Sequence, residues 1–496
     1  MLFNSHAFIF VYFPVVLLGF FLIGARNTRA AAGFLALASL FFYGWWSVEA
    51  LPLLVGSICV NYWFGLRLTP APGRSDRQRK RLLIAALVLN LGVLAVFKYA
   101  NFFVANVNEG LAAAGWTPIA LLHIALPIGI SFYTFTQIAF LVDCWQGKVQ
   151  ERRFVHYLLF VTYFPHLIAG PVLHHAQMMP QFANPATYRP DANKIALGLS
   201  IFVFGLAKKL LIGDPMGEYA DLMFNGVHNG TAPSLYTAWF GVLAYTLQIY
   251  FDFSGYSDMA VGLSMCLGVR LPLNFNSPYK ATNIIDFWRR WHISLSTFLR
   301  DYLYVPLGGS RKGPARRYLN LFLTMLLGGL WHGAAWTFVL WGALHGVFLM
   351  INHLWNAIVR RGRPAGAAQR VAGWILTFLC VMVAWVLFRA ENLDAALSIY
   401  KGMLGMHGAP PTAFGEFVVP YRKPEFFQTM LLAMVICLAL PPTISLERWV
   451  PRVPAVAGHA RVSTTSTALQ SMGIVVLLGL CVSKLGAYSP FLYFQF

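Results

Sequence analysis

Apolar runs recur along the chain, near 7 to 25, 31 to 46, 50 to 66, 82 to 99, 117 to 141, 154 to 173, 194 to 212, 233 to 251 and 256 to 273. After a polar stretch they resume near 318 to 332, 334 to 354, 372 to 389, 427 to 441 and 468 to 487. A helix needs roughly 20 residues to cross a bilayer, so several of these runs are short or broken. The pattern predicts an all-α polytopic membrane protein of about eleven to thirteen helical segments, some re-entrant or lying at the interface. Irregular backbone at membrane depth is tolerated where it lines protein or water, which fits helices arranged around a central funnel or tunnel. The runs divide into N-terminal transmembrane helices over 1–110, a core carrying the polar stretch over 111–355, and C-terminal transmembrane helices with an external loop over 356–496. The opening MLFNSHAFIFVYFPVVLLGFFLIGAR lacks a basic n-region and a small-residue cleavage site, so it reads as a retained first helix.

Composition supports the same class. Of 496 residues, 58% are hydrophobic and 11% charged, against about 25% charged in soluble domains. Lys and Arg number 37 and Asp and Glu 18, a formal charge of +19. Because no basic domain lies outside the spans, this excess is read as cytoplasmic-loop charge, not nucleic-acid binding. Arg26 and Arg29, then the run Arg74 to Arg81, place the loops after the first and third spans in the cytoplasm and the N-terminus outside. Arg360, Arg361, Arg363 and Arg370 place a later loop inside, and the C-terminus outside. The six cysteines are scattered without a CxxC pair and read as small core residues.

Lys208 and Lys209 interrupt an apolar run, and the following GDPMGEYADLMFNG reads as an acidic external loop. Either the lysines line an interior cavity or the run does not cross simply. The segment from about 390 to 426, with several prolines, reads as an external cap.

Candidate chemistry concentrates between Phe251 and Trp341. FDFSGYSDMA places Asp252, Ser254 and Asp258 at the head of a span. Two carboxylates six residues apart do not share a helical face, so a polar lining is favoured over an acid/base pair. In NIIDFWRRWHISLSTFLRDYLY, Ile284, Trp288, Trp291, Leu295, Phe298 and Tyr302 form one apolar stripe, which predicts a single amphipathic helix capped by Asn283 and Asp286. Its paired Trp and Arg, with Arg289 and Arg290 off the stripe, suit the membrane interface. His292 beside the stripe is either a hydrogen-bonding core histidine or a second site residue.

GGLWHGAAW is the sharpest local signal. Its glycines permit close backbone approach around His332, while Trp331 and Trp336 are expected to wall the imidazole off from lipid. A desolvated, neutral imidazole can take a proton from a hydroxyl, a contribution of roughly 10²- to 10⁴-fold. The bland reading of His332 is a helix-to-helix hydrogen bond. His345 in WGALHG reads as packed. His166, His174 and His175 lack evident acidic partners, so no metal ligand is expected among them. There is no GxSxG, HExxH, Walker or GxGxxG motif, so a histidine base without an enzyme nucleophile points to direct transfer to a bound hydroxyl.

The chain resembles the membrane-bound O-acyltransferase family, particularly its bacterial alginate O-acetylation branch, over nearly its whole length. The resemblance is carried by the opening segment, FFYGWW (Phe41 to Trp46), NYWFG (Asn61 to Gly65), LPIGISFYTFTQIAFLVD (Leu126 to Asp143), YFPHLIAGP (Tyr163 to Pro171) and the Phe251 to Trp341 block. It implies that His332 corresponds to the family's catalytic histidine and His292 to a further one. Asp252, Arg289, Arg290, Trp331 and Trp336 then stand as substrate-lining residues. The resemblance further implies a bacterial inner-membrane enzyme with no bound cofactor, membrane lipids around it and acetyl-CoA as cytoplasmic donor. Its partners would be periplasmic acetyltransferase or acyl-relay proteins, with an alginate-like or cellulose-like exopolysaccharide as indirect acceptor. A related branch transfers D-alanine to cell-wall polymers, and a transporter of polysaccharide or its precursor is the competing class.

Overall fold

A computed structural model describes residues 1–168, 170–360, 365–407, 421, 423–448, 464–486 and 491–492. Its regular structure is helical. In chain order the helices are α1 (Phe13–Gly24), α2 (Thr28–Gly44), α3 (Leu51–Leu68), α4 (Asp76–Leu94), α5 (Ala100–Ala113), α6 (Ile130–Trp145), α7 (Phe154–Thr162), α8 (His175–Ala183) and α9 (Ala192–Ala207). They continue as α10 (Asp214–His228), α11 (Leu235–Cys266), α12 (Ile284–Arg290), α13 (Ile293–Leu299), α14 (Gly313–His332) and α15 (Trp336–Trp355). The last are α16 (Ala367–Arg389), α17 (Leu393–Met403), α18 (Pro424–Ala439) and α19 (Thr464–Lys484). Among the described residues, five helices are long and apolar enough to cross a membrane, so the chain is a multi-pass membrane protein.

Local chemistry sets many boundaries. Asn27 caps α2 by accepting from the amides of Arg29 and Ala30, and Ser75 with Gln78 forms a capping box on α4. Asn283 accepts from Asp286 N at 2.9 Å, the cap expected for α12.

Several boundaries differ from the sequence reading. Residues 116–129 are not helical; helix begins at Ile130, after Gly129 takes a left-handed φ of 72°. The run expected over 154 to 173 is helical only to Thr162. GDPMGEYADLMFNG is not a loop but α10, which a π-helical turn over Lys208–Gly213 joins to α9 as one helix from Ala192 to His228. The spans expected on either side of Phe251 are one helix, α11, so FDFSGYSDMA lies inside a helix and not at its head. Gly255, inside this helix, admits a neighbour: a methyl group there would lie 2.7 Å from Gly205 O. The cap expected over 390 to 426 begins with helix α17, and 408–420 lies outside the described residues.

The chain divides into two compact units. One comprises Met1–Val203, Ser257–Pro272 and Leu446–Val476. Its helices are tied by buried polar pairs: Asn61 and Asn90 exchange amide hydrogen bonds at 3.0 and 2.6 Å, and Tyr157 Oη donates to Gln137 Oε1 at 3.0 Å. The other comprises Phe204–Tyr256, Leu273–Ser445 and Leu477–Phe496. Its core is aromatic: the Trp385 ring lies 5.0 Å from Trp291 and 5.9 Å from Trp341, and Trp374 Nε1 donates to Tyr279 O at 2.8 Å. His332, His292 and Asp252 all belong to this second unit.

Candidate active site

His332 is the last residue of α14; Gly333 and Ala335 are extended, and α15 begins at Trp336. This tight turn requires two helices to approach closely. A methyl group on Gly329 would collide with Phe338 O, and one on Gly342 with Met325 O. Gly333 has no room for one because the Phe338 ring occupies that space. Of the glycines around the histidine, Gly329 therefore serves backbone approach, while Gly333 makes room for a ring.

The His332 side chain is held in an aromatic box. It is 6% exposed, with ring centroids 4.9 Å from Trp331, 5.2 Å from Trp341 and 5.1 Å from Phe388. Trp336, expected to form part of this wall, is 52% exposed; Trp341 and Phe388 enclose the imidazole from α15 and α16. His345 is packed as expected, accepting from Trp288 Nε1 through Nδ1 at 3.3 Å.

The His292 ring centroid lies 6.5 Å from that of His332. The amphipathic helix expected over 284 to 302 is broken at this residue into α12 and α13, because His292 adopts φ 45° and ψ 54°. Left-handed backbone is uncommon for a residue with a Cβ and costs of order 1–3 kcal/mol, so the surroundings must impose it. They do so through Asn274, whose Oδ1 accepts from Ser294 N at 3.3 Å and Ser294 Oγ at 2.9 Å, with His292 Nδ1 at 3.1 Å. The backbone adds Ile293 N to Asn274 O at 3.0 Å. Since Asn274 Oδ1 only accepts, Nδ1 of His292 carries the hydrogen and Nε2 keeps a lone pair. Burial pushes the His292 pKa down to about 3, so the ring is neutral. Phe253 of α11 packs edge-on to it at 4.8 Å.

The predicted lining residues part company. Asp252 is buried and engaged at both oxygens, Oδ1 by Lys209 Nζ at 2.6 Å and Oδ2 by Leu492 N at 2.9 Å. Lys209 also meets Asp214 at 2.5 Å and lies over the Phe491 ring. The lysine in the apolar run is thus a buried bridge between carboxylates. Arg289 is exposed, while Arg290 pairs with Asp286 at 2.9 Å and donates to Asn276 O at 3.3 Å. The Asp252 contacts tie α11 to the Lys208–Gly213 turn and to residue 492, and Arg290 ties α12 to the segment before it.

Asn274, Trp341 and Phe388 escaped the sequence reading. The NFN segment offered a polar signal without its partner, and an apolar ring on α16 offers none. Another correction concerns His174 and His175. They have an acidic partner: Asp143 Oδ2 lies 2.9 Å from His174 Nε2 and 3.0 Å from His175 Nδ1. His166 instead bonds Phe160 O at 2.9 Å.

Comparison with known proteins gives this geometry a context. Residues 145–390 match the model of the membrane-bound O-acyltransferase family. The probable alginate O-acetylase AlgI of Pseudomonas aeruginosa is 42% identical, with all of both chains covered. The peptidoglycan O-acetyltransferase of Helicobacter pylori is 43% identical over 82% of this chain and 80% of its own. The teichoic acid D-alanyltransferase of Bacillus subtilis is 27% identical over 53% of this chain and 69% of its own. With identity above 40% along its full length and two buried histidines gathered by the segments that the family model spans, the chain is an acyltransferase and belongs to the membrane-bound O-acyltransferase family.

Proposed function

We propose that this enzyme takes an acetyl group from acetyl-CoA on the cytoplasmic side of the bacterial inner membrane and passes it across for O-acetylation of an exopolysaccharide, with His332 as general base. The observation that carries this reading is the enclosure of His332 by Trp331, Trp341 and Phe388 beside a neutral His292. The full-length similarity to an alginate O-acetylase supports acetyl as the group moved and an alginate-like polymer as its destination. D-alanyl transfer to a cell-wall polymer is supported by a relative matching only 53% of the chain. Membership of an acyltransferase family favours group transfer over the reading of the polar belt as a transporter's passage.

His332 removes the proton from an acceptor hydroxyl as its oxygen attacks the thioester carbonyl carbon. The tetrahedral intermediate collapses with cleavage of the carbon–sulfur bond, and the leaving thiolate takes the proton back from the imidazolium. The ester and free coenzyme A are the products, and no metal or redox group is required. The aromatic box excludes water that would otherwise hydrolyse the thioester. His292 with its Nε2 lone pair orients His332, and Asn274 holds that tautomer. The immediate acceptor is a hydroxyl on a periplasmic relay or acetyltransferase protein.

His332→Ala is expected to abolish polymer acetylation at unchanged membrane abundance, and purified wild-type protein with labelled acetyl-CoA should release coenzyme A or label a partner. Retained acetylation in the variant would sink the assignment of the base.

A further inference from the structure

We propose that Asp143, His174 and His175 form a binding site for one divalent first-row metal ion of the Zn²⁺ type, acting as a structural clasp between α6 and the start of α8. The site lies within the Met1–Val203 unit, whereas His292 and His332 belong to the other. Asp143 sits near the end of α6. His174 is extended at φ −99° and ψ 133°, and His175 opens α8, so the change of backbone conformation between them turns two consecutive side chains toward one carboxylate.

The oxygen and the two nitrogens all lie within 4.8 Å of one another. The Asp143 side chain is 1% exposed and that of His175 is 4% exposed, so two of the three ligands are interior groups. Although His175 Nδ1 is 3.0 Å from Asp143 Oδ2, it makes no hydrogen bond, because the nitrogen is not directed along the line to that oxygen. Two ligands of one ion stand in this relation. At about 2.1 Å from a common ion and 90° to 109° apart, they are separated by about 3.0–3.4 Å, each directed at the ion and not at the other. His174 is 35% exposed and so has room to close on the same point.

The neighbouring charges are compatible. Lys148 Nζ approaches the other carboxylate oxygen, Oδ1, at 3.9 Å with a side chain 62% exposed, which leaves Oδ2 toward the histidines. His174 Nδ1 accepts from Ala176 N at 3.3 Å; metal binding through Nε2 places the ring hydrogen on Nδ1, so that long contact is given up. Two imidazoles and one carboxylate suit Zn²⁺, with water completing the shell.

The test uses the full chain, carried on a purification tag without histidines, dialysed against excess Zn²⁺ and then against metal-free buffer. Bound metal is counted by plasma mass spectrometry, and affinity is measured by competition with a chromophoric chelator. The expected result is about one Zn²⁺ per chain, with affinity lowered at least about tenfold in His174→Ala and in Asp143→Asn. His174→Ala removes a partly exposed side chain, and the wild-type measurement stands even where a variant fails to fold. Less than about a tenth of an equivalent in the wild type, or wild-type affinity in both variants, overturns the site and leaves a carboxylate bound only through hydrogen bonds.

Discussion

His292 shows how one residue's conformation, protonation and position depend on one another. Its left-handed backbone delivers the ring to within 6.5 Å of His332, and Asn274 fixes its tautomer while burial keeps it neutral. With a native pKa of about 3 and an unfolded value of about 6.5, the unfolded chain binds the extra proton between those limits. The stability contributed by the neutral ring is therefore present above about pH 6.5 and is lost as pH falls toward 3. His292→Asn should show a shallower loss of apparent Tm than the wild type between pH 6.5 and 4.5 in detergent. Equal slopes in the two proteins would place the acid sensitivity elsewhere.

At the scale of elements, the hairpin of α14 and α15 brings His332 to its place because glycine allows the two backbones to touch. Gly329 and Gly342 face each other, so a side chain at either must push the helices apart. Overpacking of this kind costs about 1–3 kcal/mol, and displacement of a reacting group by about 1 Å can cost about 100-fold in rate. Gly329→Val is expected to lower acyl transfer by one to two orders of magnitude while the protein still inserts; wild-type turnover would show that the close approach is dispensable. The break between α12 and α13 belongs to this scale as well. The apolar stripe was legible, and its buried members Ile284, Trp291, Leu295 and Phe298 bear it out. The break was not legible, because a periodic pattern continues across one left-handed residue without changing which positions are apolar.

Across the molecule, buried charge and loop charge do different work. Lys209 bridges Asp214 and Asp252, and Asp252 holds Leu492 N, so one cation joins α10, α11 and the segment at 491–492. Removing one partner of a buried pair leaves an uncompensated charge, at about 3–5 kcal/mol. Lys209→Met should therefore lower apparent Tm and expression sharply, with partial rescue when Asp252→Asn is added; an additive double mutant would show that the two groups do not interact. The loop arginines act outside the core. A reporter at Arg74 to Arg81 should be cytoplasmic and one at the N-terminus external, and the reverse pattern would refute the orientation read from charge.

By itself the sequence determined the class of molecule and the helices α14, α15 and α16, and it pointed to His332 as the candidate base. Hydropathy, glycine spacing and an ionisable group among apolar residues are all properties of short stretches. Only the tertiary structure decided who surrounds that histidine. Asn274 reaches His292, Phe388 and Trp341 join Trp331 against His332, Asp252 turns to Lys209, and Asp143 meets His174 and His175. Except for Trp331, adjacent to His332, and Trp341, a short turn away from it, these pairings join residues well separated in the chain, and the packing that unites them depends on how whole helices fit, which no local pattern of apolar and polar positions encodes.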